Sequence, residues 1–155
     1  MPPFVYERMI LFMAAQYSYV PIQTVAPDEN VIFNNNSFHC RKGYVSHRDD
    51  SGIFTVRGSA NGCRALYKVS FHANIAISEG GTVEPISISG TYNGEELKNT
   101  TSIVTPAAIG DFWNVNFETI IDVDCGCCVS IAVENTSATT DIDVQNATII
   151  FERIA

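Results

Sequence analysis

The stretch that decides the fold is CRALYKVSFHANIAI, residues 63–77. Its residues alternate in character along the whole run, and side chains on a β-strand point to opposite faces with a period of two. Tyr67, Val69 and Phe71 therefore share one face, which we expect to pack in an apolar core. We expect the second face to contact neighbouring copies of the same chain. That mixed face carries Leu66, Lys68, Ser70, His72 and Asn74.

Strand patterns recur on both sides of this stretch, and no long helical period is present. Turn residues separate them, the clearest being Asn93-Gly94, which is typical of a tight hairpin. The eight predicted strands cover residues 31–33, 53–57, 63–77, 83–92, 97–104, 112–123, 127–134 and 142–154. This number and spacing predict an all-β sandwich, and a jelly roll in particular.

The same alternation predicts further core residues outside the central strand. Trp113 and Phe117 share a face of the strand at residues 112–123, and the register of Trp113 with Val115 and Phe117 favours the core. Val129 and Ile131 share a face of the strand at residues 127–134.

Composition limits the classes of function. The chain has 155 residues, 46% hydrophobic and 17% charged, which indicates one globular domain. The net charge of −8 and the absence of Lys/Arg clusters argue against nucleic-acid binding. No apolar run is long enough for a transmembrane helix. An acidic assembly would attract cations such as Ca²⁺, although no spaced D-x-D-x-D-G loop is present.

The N-terminal segment is rich in aromatic residues and contains Pro2 and Pro3. Phe4, Tyr6, Tyr17 and Tyr19 are costly to leave in water, so we predict an attachment arm at residues 1–24 and the folded domain at residues 25–155. A simple tail is the alternative, and Met13 could be a second start site. A secretion signal is disfavoured because Glu7 offsets Arg8 before the apolar run.

Five cysteines cannot all pair within one chain. Cys63 and Cys125 both fall at predicted strand ends, so a disulfide between them is feasible, within or between chains; reduced thiols are the alternative. The C-x-C-C spacing of residues 125–128 does not suit structural zinc, and no metal site is predicted. No nucleophile elbow, phosphate-binding glycine loop or H-E-x-x-H motif is present, so we predict no enzymatic activity and no cofactor.

Several motifs together resemble those of complement-C1q-like and tumour-necrosis-factor-like domains. Residues 65–71 (ALYKVSF) resemble the G-x-Y-x-V-x-F core strand of that family, and residues 52–56 (GIFTV) resemble the strand entering it. Asn93-Gly94 stands at the family's hairpin, residues 124–131 (DCGCCVSI) resemble its A-G-D-x-V-x-L segment, and residues 149–154 (IIFERI) resemble its closing strand. The departures are Ala65 in place of Gly, Cys127 in place of Asp, and the lack of a preceding Gly-x-y repeat.

The resemblance covers residues 25–155 and is nearest to the bacterial and phage branch, which includes exosporium glycoprotein heads and short phage or prophage structural proteins. It implies a ten-stranded jelly roll that forms a compact homotrimer and is not an enzyme. In such trimers one sheet faces the three-fold axis. The mixed face of residues 66–74 and the small residues Ser130 and Ala132 are the candidates for that face.

We therefore predict a structural module: a trimeric head, knob or decoration on a phage virion, prophage particle or spore surface, made in the cytoplasm of a bacterial host. The predicted arm would dock it to a larger particle or surface. The alternative is a knob that binds a host glycan or surface receptor through loops at residues 39–50, 105–113 and 135–141. The only tryptophan, Trp113, could stack on a sugar if it were exposed.

Overall fold

The fold is taken from a computed structural model that describes residues 14–34, 44–58, 64–124 and 128–155. Within these ranges the chain forms eleven β-strands and one short 3₁₀ turn, Lys98–Thr100. The strands are β1 Ala14–Tyr19, β2 Gln23–Val25, β3 Val45–His47, β4 Phe54–Arg57, β5 Ala65–Ile77, β6 Ile86–Tyr92, β7 Glu95–Glu96, β8 Ser102–Val104, β9 Trp113–Val123, β10 Cys128–Asn135 and β11 Ile142–Arg153.

The strands form two antiparallel sheets. The first sheet has the order β1-β11-β5-β9, and β2 also pairs with β11. The second sheet has the order β3-β4-β10-β6-β7, and β8 also pairs with β6. The prediction of an all-β jelly-roll sandwich is confirmed.

The core lies between the sheets and is rich in aromatic rings. The ring centroid of Phe54 on β4 lies 4.9 Å from that of Tyr17 on β1 and 4.9 Å from that of Phe151 on β11. The ring of Phe33 lies 5.3 Å from that of Phe54, and His47 stacks on Phe54 at 4.4 Å. Such contacts add to the burial of large apolar area, so this cluster ties the first strand to both sheets.

The hairpin predicted at Asn93-Gly94 is present between β6 and β7. Both residues have positive φ angles, 52° for Asn93 and 83° for Gly94. Two successive positive φ angles define the tight turn that matches the twist of paired strands, and Asn and Gly adopt that conformation at least cost.

The structure buries most of the predicted core residues: Tyr67, Val69, Phe71, Phe117, Val129 and Ile131. The prediction for Trp113 is wrong, because its side chain is 49% exposed. Trp113 is the first residue of β9, and β9 is the edge strand of the first sheet. The Trp113 side chain is on the same face of β9 as Val115 and Phe117. Because it lies at the start of an edge strand, it projects beyond the end of the core.

The predicted division of the chain at residue 24 needs a correction. Tyr17, assigned to the arm, is only 2% exposed and belongs to β1, which pairs with β11 along its whole length. Tyr19 is half-buried at the end of the same strand. Both side chains are therefore part of the sandwich, whereas Phe4 and Tyr6 lie outside the described residues.

Two local predictions also change. Residues 31–33 form no regular strand, and among them only Phe33 forms an isolated bridge, with Ser51. The segment at residues 39–50, expected as a loop, contains β3 in its described part, where Val45 is buried.

Candidate functional site

The outer surface of the first sheet, which contains the residues predicted to face a three-fold axis, is called the axial face. Its centre is formed by the predicted residues of β5: Leu66, Lys68, Ser70 and Asn74 are half-buried and His72 is exposed. Cross-strand pairing adds two neighbouring rows. From β9 come Asn114, Asn116, Glu118, Ile120 and Asp122, and from β11 come Thr148, Ile150 and Glu152. The structure thus brings the mixed face of β5 together with two rows that the sequence did not assign to it.

One half of the axial face combines apolar side chains with ion pairs. Ile120 is 61% exposed and lies opposite Lys68, while Ile150 lies opposite Ser70. The Lys68 ammonium lies 2.9 Å from the Glu118 carboxylate. The hydrogen bond from Lys68 to Glu118, and the charge of that carboxylate, raise the pKa of Lys68.

At the margin of the same half, Arg64 donates to Asp122 through both its Nε, at 2.8 Å, and its terminal nitrogen. This hydrogen bonding lowers the pKa of Asp122. The two ion pairs balance four of the charges on this half of the face, and Glu152 adds one further carboxylate.

The other half of the axial face is uncharged and rich in amides. The Asn114 amide donates to Asn74 at 3.4 Å, Asn116 donates to Asn114 at 3.4 Å, and Asn74 donates to Asn146 at 3.5 Å. Asn146 has a positive φ of 57° and lies at the irregularity in the pairing of β11 with β5. The amides satisfy part of one another's hydrogen-bonding capacity, which lowers the cost of removing them from water.

Ser130 and Ala132, predicted to face the same axis, lie elsewhere. Both belong to β10, which is in the second sheet, and they point away from the core on the opposite side of the sandwich from β5. Because the two outer surfaces face in opposite directions, this pair and Leu66 cannot line one axis. The prediction that Ser130 and Ala132 share one axial face with the β5 residues is therefore wrong.

The distal loops are residues 78–85, 105–112 and 136–141, which meet at one end of the sandwich. Backbone hydrogen bonds hold them side by side across the end of β5: Gly110 donates to Ile77 at 3.1 Å, and Ser78 donates to Asp141 at 3.1 Å. The chain enters β1 at the other end, where Ala14 pairs with Glu152. The distal loops and the entry to β1 are thus at opposite ends.

Trp113 borders the distal loops. Its indole N–H donates to the Asp111 carboxylate at 3.1 Å. Phe112 and Ile109, which are near Trp113 in the chain, are 36% and 45% exposed. These three exposed apolar residues are called the apolar ridge. Of the three segments predicted to carry binding, residues 105–113 thus provide this ridge.

A groove of about 280 Å³ lies at the C-terminal end of β5, on the side of β11, whereas Trp113 lies on the side of β9. It is lined by Ser78, Glu79, Gly80, Gly81, Thr82, Thr139, Thr140 and Asp141. The hydroxyl of Thr139 donates to Glu84 at 3.0 Å, and that of Thr140 donates to the same oxygen. The groove therefore offers hydroxyls, carboxylates and backbone groups, with no cationic side chain.

Asn135, predicted to begin a polar loop, is the last residue of β10 and stabilises the structure. Its side chain is fully buried, and its amide donates to the carbonyls of Val25 at 2.9 Å and Thr140 at 3.0 Å. Its side-chain oxygen accepts from the N–H of Ser137 at 2.9 Å. Asn135 thereby fixes the last distal loop against β2; the sequence shows only an Asn next to turn residues.

Glu134 and Asp28 form a carboxyl pair on the outer side of the second sheet. Burial raises the pKa of Glu134 above its ordinary value, and the neighbouring Asp28 and Glu96 raise it further. Residues 28 and 134 are distant in sequence, and the pair forms because Asn30 bridges to Glu134.

The remaining predictions concern metals, cysteines and membranes. In the part of the chain that the structure describes, no group of three or more His, Cys, Asp or Glu side chains is placed to hold a metal ion. Cys63 and Cys125, the predicted disulfide pair, lie outside the described residues. No helix among the described segments is long and apolar enough to cross a bilayer.

Comparisons with known proteins identify the fold. No family model and no curated protein matches the sequence. Among solved structures, the chain is similar to the globular domain of zebrafish complement 1qA, with 10% identity and a TM-score of 0.57 over 91% of this chain and 94% of that chain. It is similar to murine APRIL, with 11% identity and a TM-score of 0.60 over 90% and 98%. It is also similar to the Eiger TNF of S. frugiperda, with 12% identity and a TM-score of 0.61 over 92% and 93%.

At these identities the likeness shows the fold alone. The fold is the jelly roll of C1q-like and TNF-like domains, and the resemblance seen in the sequence is confirmed at that level.

Proposed function

We propose that the chain is a non-enzymatic structural module that assembles as a homotrimer through its axial face. The observation that carries this proposal is Ile120, which is 61% exposed on a sheet face that also bears Leu66 and Ile150. An exposed apolar side chain gains free energy by leaving water. Domains of this fold are typically homotrimeric, which supports a second and third copy as the occupants.

The polar groups of the axial face fit such an interface. Lys68 and Glu118 already neutralise one another, and the amides of Asn74, Asn114 and Asn116 are partly satisfied within one chain. Groups that remain can pair across the axis or through water.

The trimer would act as a head, knob or decoration on a phage virion, prophage particle or spore surface, made in the cytoplasm of a bacterial host. Strand β1 begins at Ala14, at the end opposite the distal loops. A particle attached through the residues before Ala14 would leave the distal loops pointing outward. Removing residues 1–13 should give a soluble trimer that no longer joins the particle, and incorporation of this truncated chain at the normal level would refute the attachment role.

A pair of matched variants tests the interface. Ile120→Asp places a charge on the axial face, and Ile103→Asp places one at a similarly exposed isoleucine (64%) on β8 of the second sheet. Burying an unpaired carboxylate is costly, so Ile120→Asp should dissociate the trimer while Ile103→Asp should not. Sedimentation velocity over a concentration series measures the difference. Equal behaviour of the two variants would contradict the assignment of the axial face.

A second candidate function is a receptor- or carbohydrate-binding knob that uses the exposed distal loops. The exposure of Trp113, at 49%, favours it, because an exposed indole is an uncommon surface group and stacks well on apolar ligand faces. Trp113 is the only tryptophan, so its fluorescence reports on this site alone. An emission that does not respond to any glycan or surface protein tested would remove this candidate.

A further inference from the structure

We propose that the distal loops bind an uncharged oligosaccharide that spans at least two sugar rings, with one ring on Trp113 and another in the groove at residues 78–82 and 139–141. This inference rests on the second candidate function and narrows it to a ligand class and a place. It is independent of whether the axial face forms a trimer.

The apolar ridge provides the stacking surface. Trp113 is nearly half exposed, and its bond to Asp111 restricts rotation of the indole. A side chain held in place loses less conformational freedom on binding. Sugar rings have one face of C–H groups, which pack on an aromatic ring. Phe112 and Ile109, near Trp113 in the chain, are also exposed.

The groove provides the polar contacts. The hydroxyls of Ser78, Thr139 and Thr140 already donate to Asp143 and Glu84, so they can accept from the hydroxyl groups of a sugar. The carboxylates of Glu79 and Asp141 accept as well, and a carboxylate makes stronger hydrogen bonds than a neutral acceptor. Asp141 is exposed at its rim. Gly80 has a φ of 89° and open space beyond its Cα, so the backbone there is accessible to a ligand.

The distance between the two parts sets the minimum size of the ligand. The ridge lies on the β9 side of β5, and the groove lies on the β11 side. Neighbouring strands are about 4.8 Å apart, so the two parts are separated by about 10 Å. A single sugar ring cannot contact both, and a disaccharide or longer chain can.

The charges of the distal loops decide which saccharides fit. The three loops contain Glu79, Glu84, Asp111 and Asp141, and no Lys, Arg or His. The whole chain has a net charge of −8. Sialylated or sulfated glycans would place negative charge beside these carboxylates without a cationic partner, which is unfavourable.

Cationic peptides are the competing ligand class, because the loops are acidic. Two of the four carboxylates already accept hydrogen bonds from neutral donors: Glu84 from Thr139 and Thr140, and Asp111 from Trp113. The lining of the groove combines hydroxyl and backbone groups with two carboxylates. A sugar hydroxyl can use both its donors and its acceptors, whereas an ammonium group can use only the acceptors. These features favour the uncharged saccharide.

The experiment applies the full-length chain to an array that carries neutral mono- and oligosaccharides, sialylated and sulfated glycans, and basic peptides, followed by calorimetry on the best ligands. Neutral oligosaccharides should bind at least about 10-fold more tightly than their monosaccharides and than their sialylated forms; a tenfold ratio is 1.4 kcal/mol. Trp113→Ala should lose about 10-fold or more in affinity. Thr82→Trp, which places a large ring in the groove, should do the same, and Ile53→Ala on the second sheet should not.

The other outcomes would overturn the ligand class, the place of binding or the whole inference. A preference for anionic glycans or basic peptides overturns the ligand class while leaving a binding function at the loops. Unchanged affinity in both Trp113→Ala and Thr82→Trp, with unchanged circular dichroism, overturns the place. No binding to any probe overturns the inference together with the second candidate function, while the mass of the protein in solution decides the trimer separately.

Discussion

Replacing Tyr17 with Ala tests whether β1 belongs to the folded domain. Tyr17 is 2% exposed, and its ring lies 4.9 Å from Phe54 and 6.4 Å from Phe151. A buried aromatic side chain removes about 150–250 Å² from water, which at about 25 cal/mol per Å² corresponds to about 4–6 kcal/mol as an upper bound. Measured losses for large aromatic residues are about 3–5 kcal/mol. We therefore expect Tyr17→Ala to lower the free energy of unfolding by about 3–5 kcal/mol.

Tyr19→Ala is the matched control for this variant. Tyr19 is in the same strand and points to the same side, but it is only half-buried. It should lose clearly less than Tyr17→Ala does. A loss of about 3–5 kcal/mol lowers the melting temperature of a domain of this size by roughly 6–20 °C, at about 2–4 °C per kcal/mol.

The assay is urea denaturation followed by circular dichroism at one fixed protein concentration, because assembly links stability to concentration. If Tyr17→Ala loses less than about 1 kcal/mol, or no more than Tyr19→Ala, the packing of β1 on the core is refuted and residues 14–19 behave as an arm.

Three further variants can be measured by the same denaturation experiment. Asn135→Ala leaves three buried backbone partners unsatisfied and should cost at least about 2 kcal/mol, whereas a loss below 0.5 kcal/mol would show that water replaces the amide. The raised pKa of Glu134 means that its carboxylate weakens the fold at neutral pH and that protonation relieves this effect. Glu134→Gln should therefore stabilise the protein at pH 7. The gain in stability should shrink as the pH falls towards 4.5, the ordinary pKa of the group. A less stable Glu134→Gln at pH 7 would contradict that cause. Gly94→Ala should cost about 1 kcal/mol because Gly94 has a φ of 83°, and an unchanged stability would mean that the turn rearranges.

The elements that the sequence predicts well are those whose signals are local. The alternation of residues 65–75 follows from burial of one face only, and the structure keeps it, with Tyr67, Val69 and Phe71 inside. At the end of the strand Ala76 is buried as well. Asn93-Gly94 specifies its own turn geometry. The order of these elements was enough to predict the sandwich.

The parts that sequence reasoning missed depend on partners far along the chain. Tyr17 resembles a tail residue until β11 pairs with β1. Trp113 has the register of a core residue, and only its position at the start of an edge strand exposes it. Ser130 is a candidate for the axial face because small side chains permit close approach of neighbouring chains. Neither its size nor the alternation of its strand says to which sheet that strand belongs.

The mass of the full-length protein in solution at neutral pH, by sedimentation equilibrium with and without reductant, tests the central proposal most directly. We predict a species of three times the chain mass of 17.0 kDa under both conditions, because the axial face associates by burial of side chains such as Ile120. A monomer at micromolar concentration would contradict the proposed assembly. A trimer only without reductant would contradict its basis in side-chain burial and point to interchain disulfides instead.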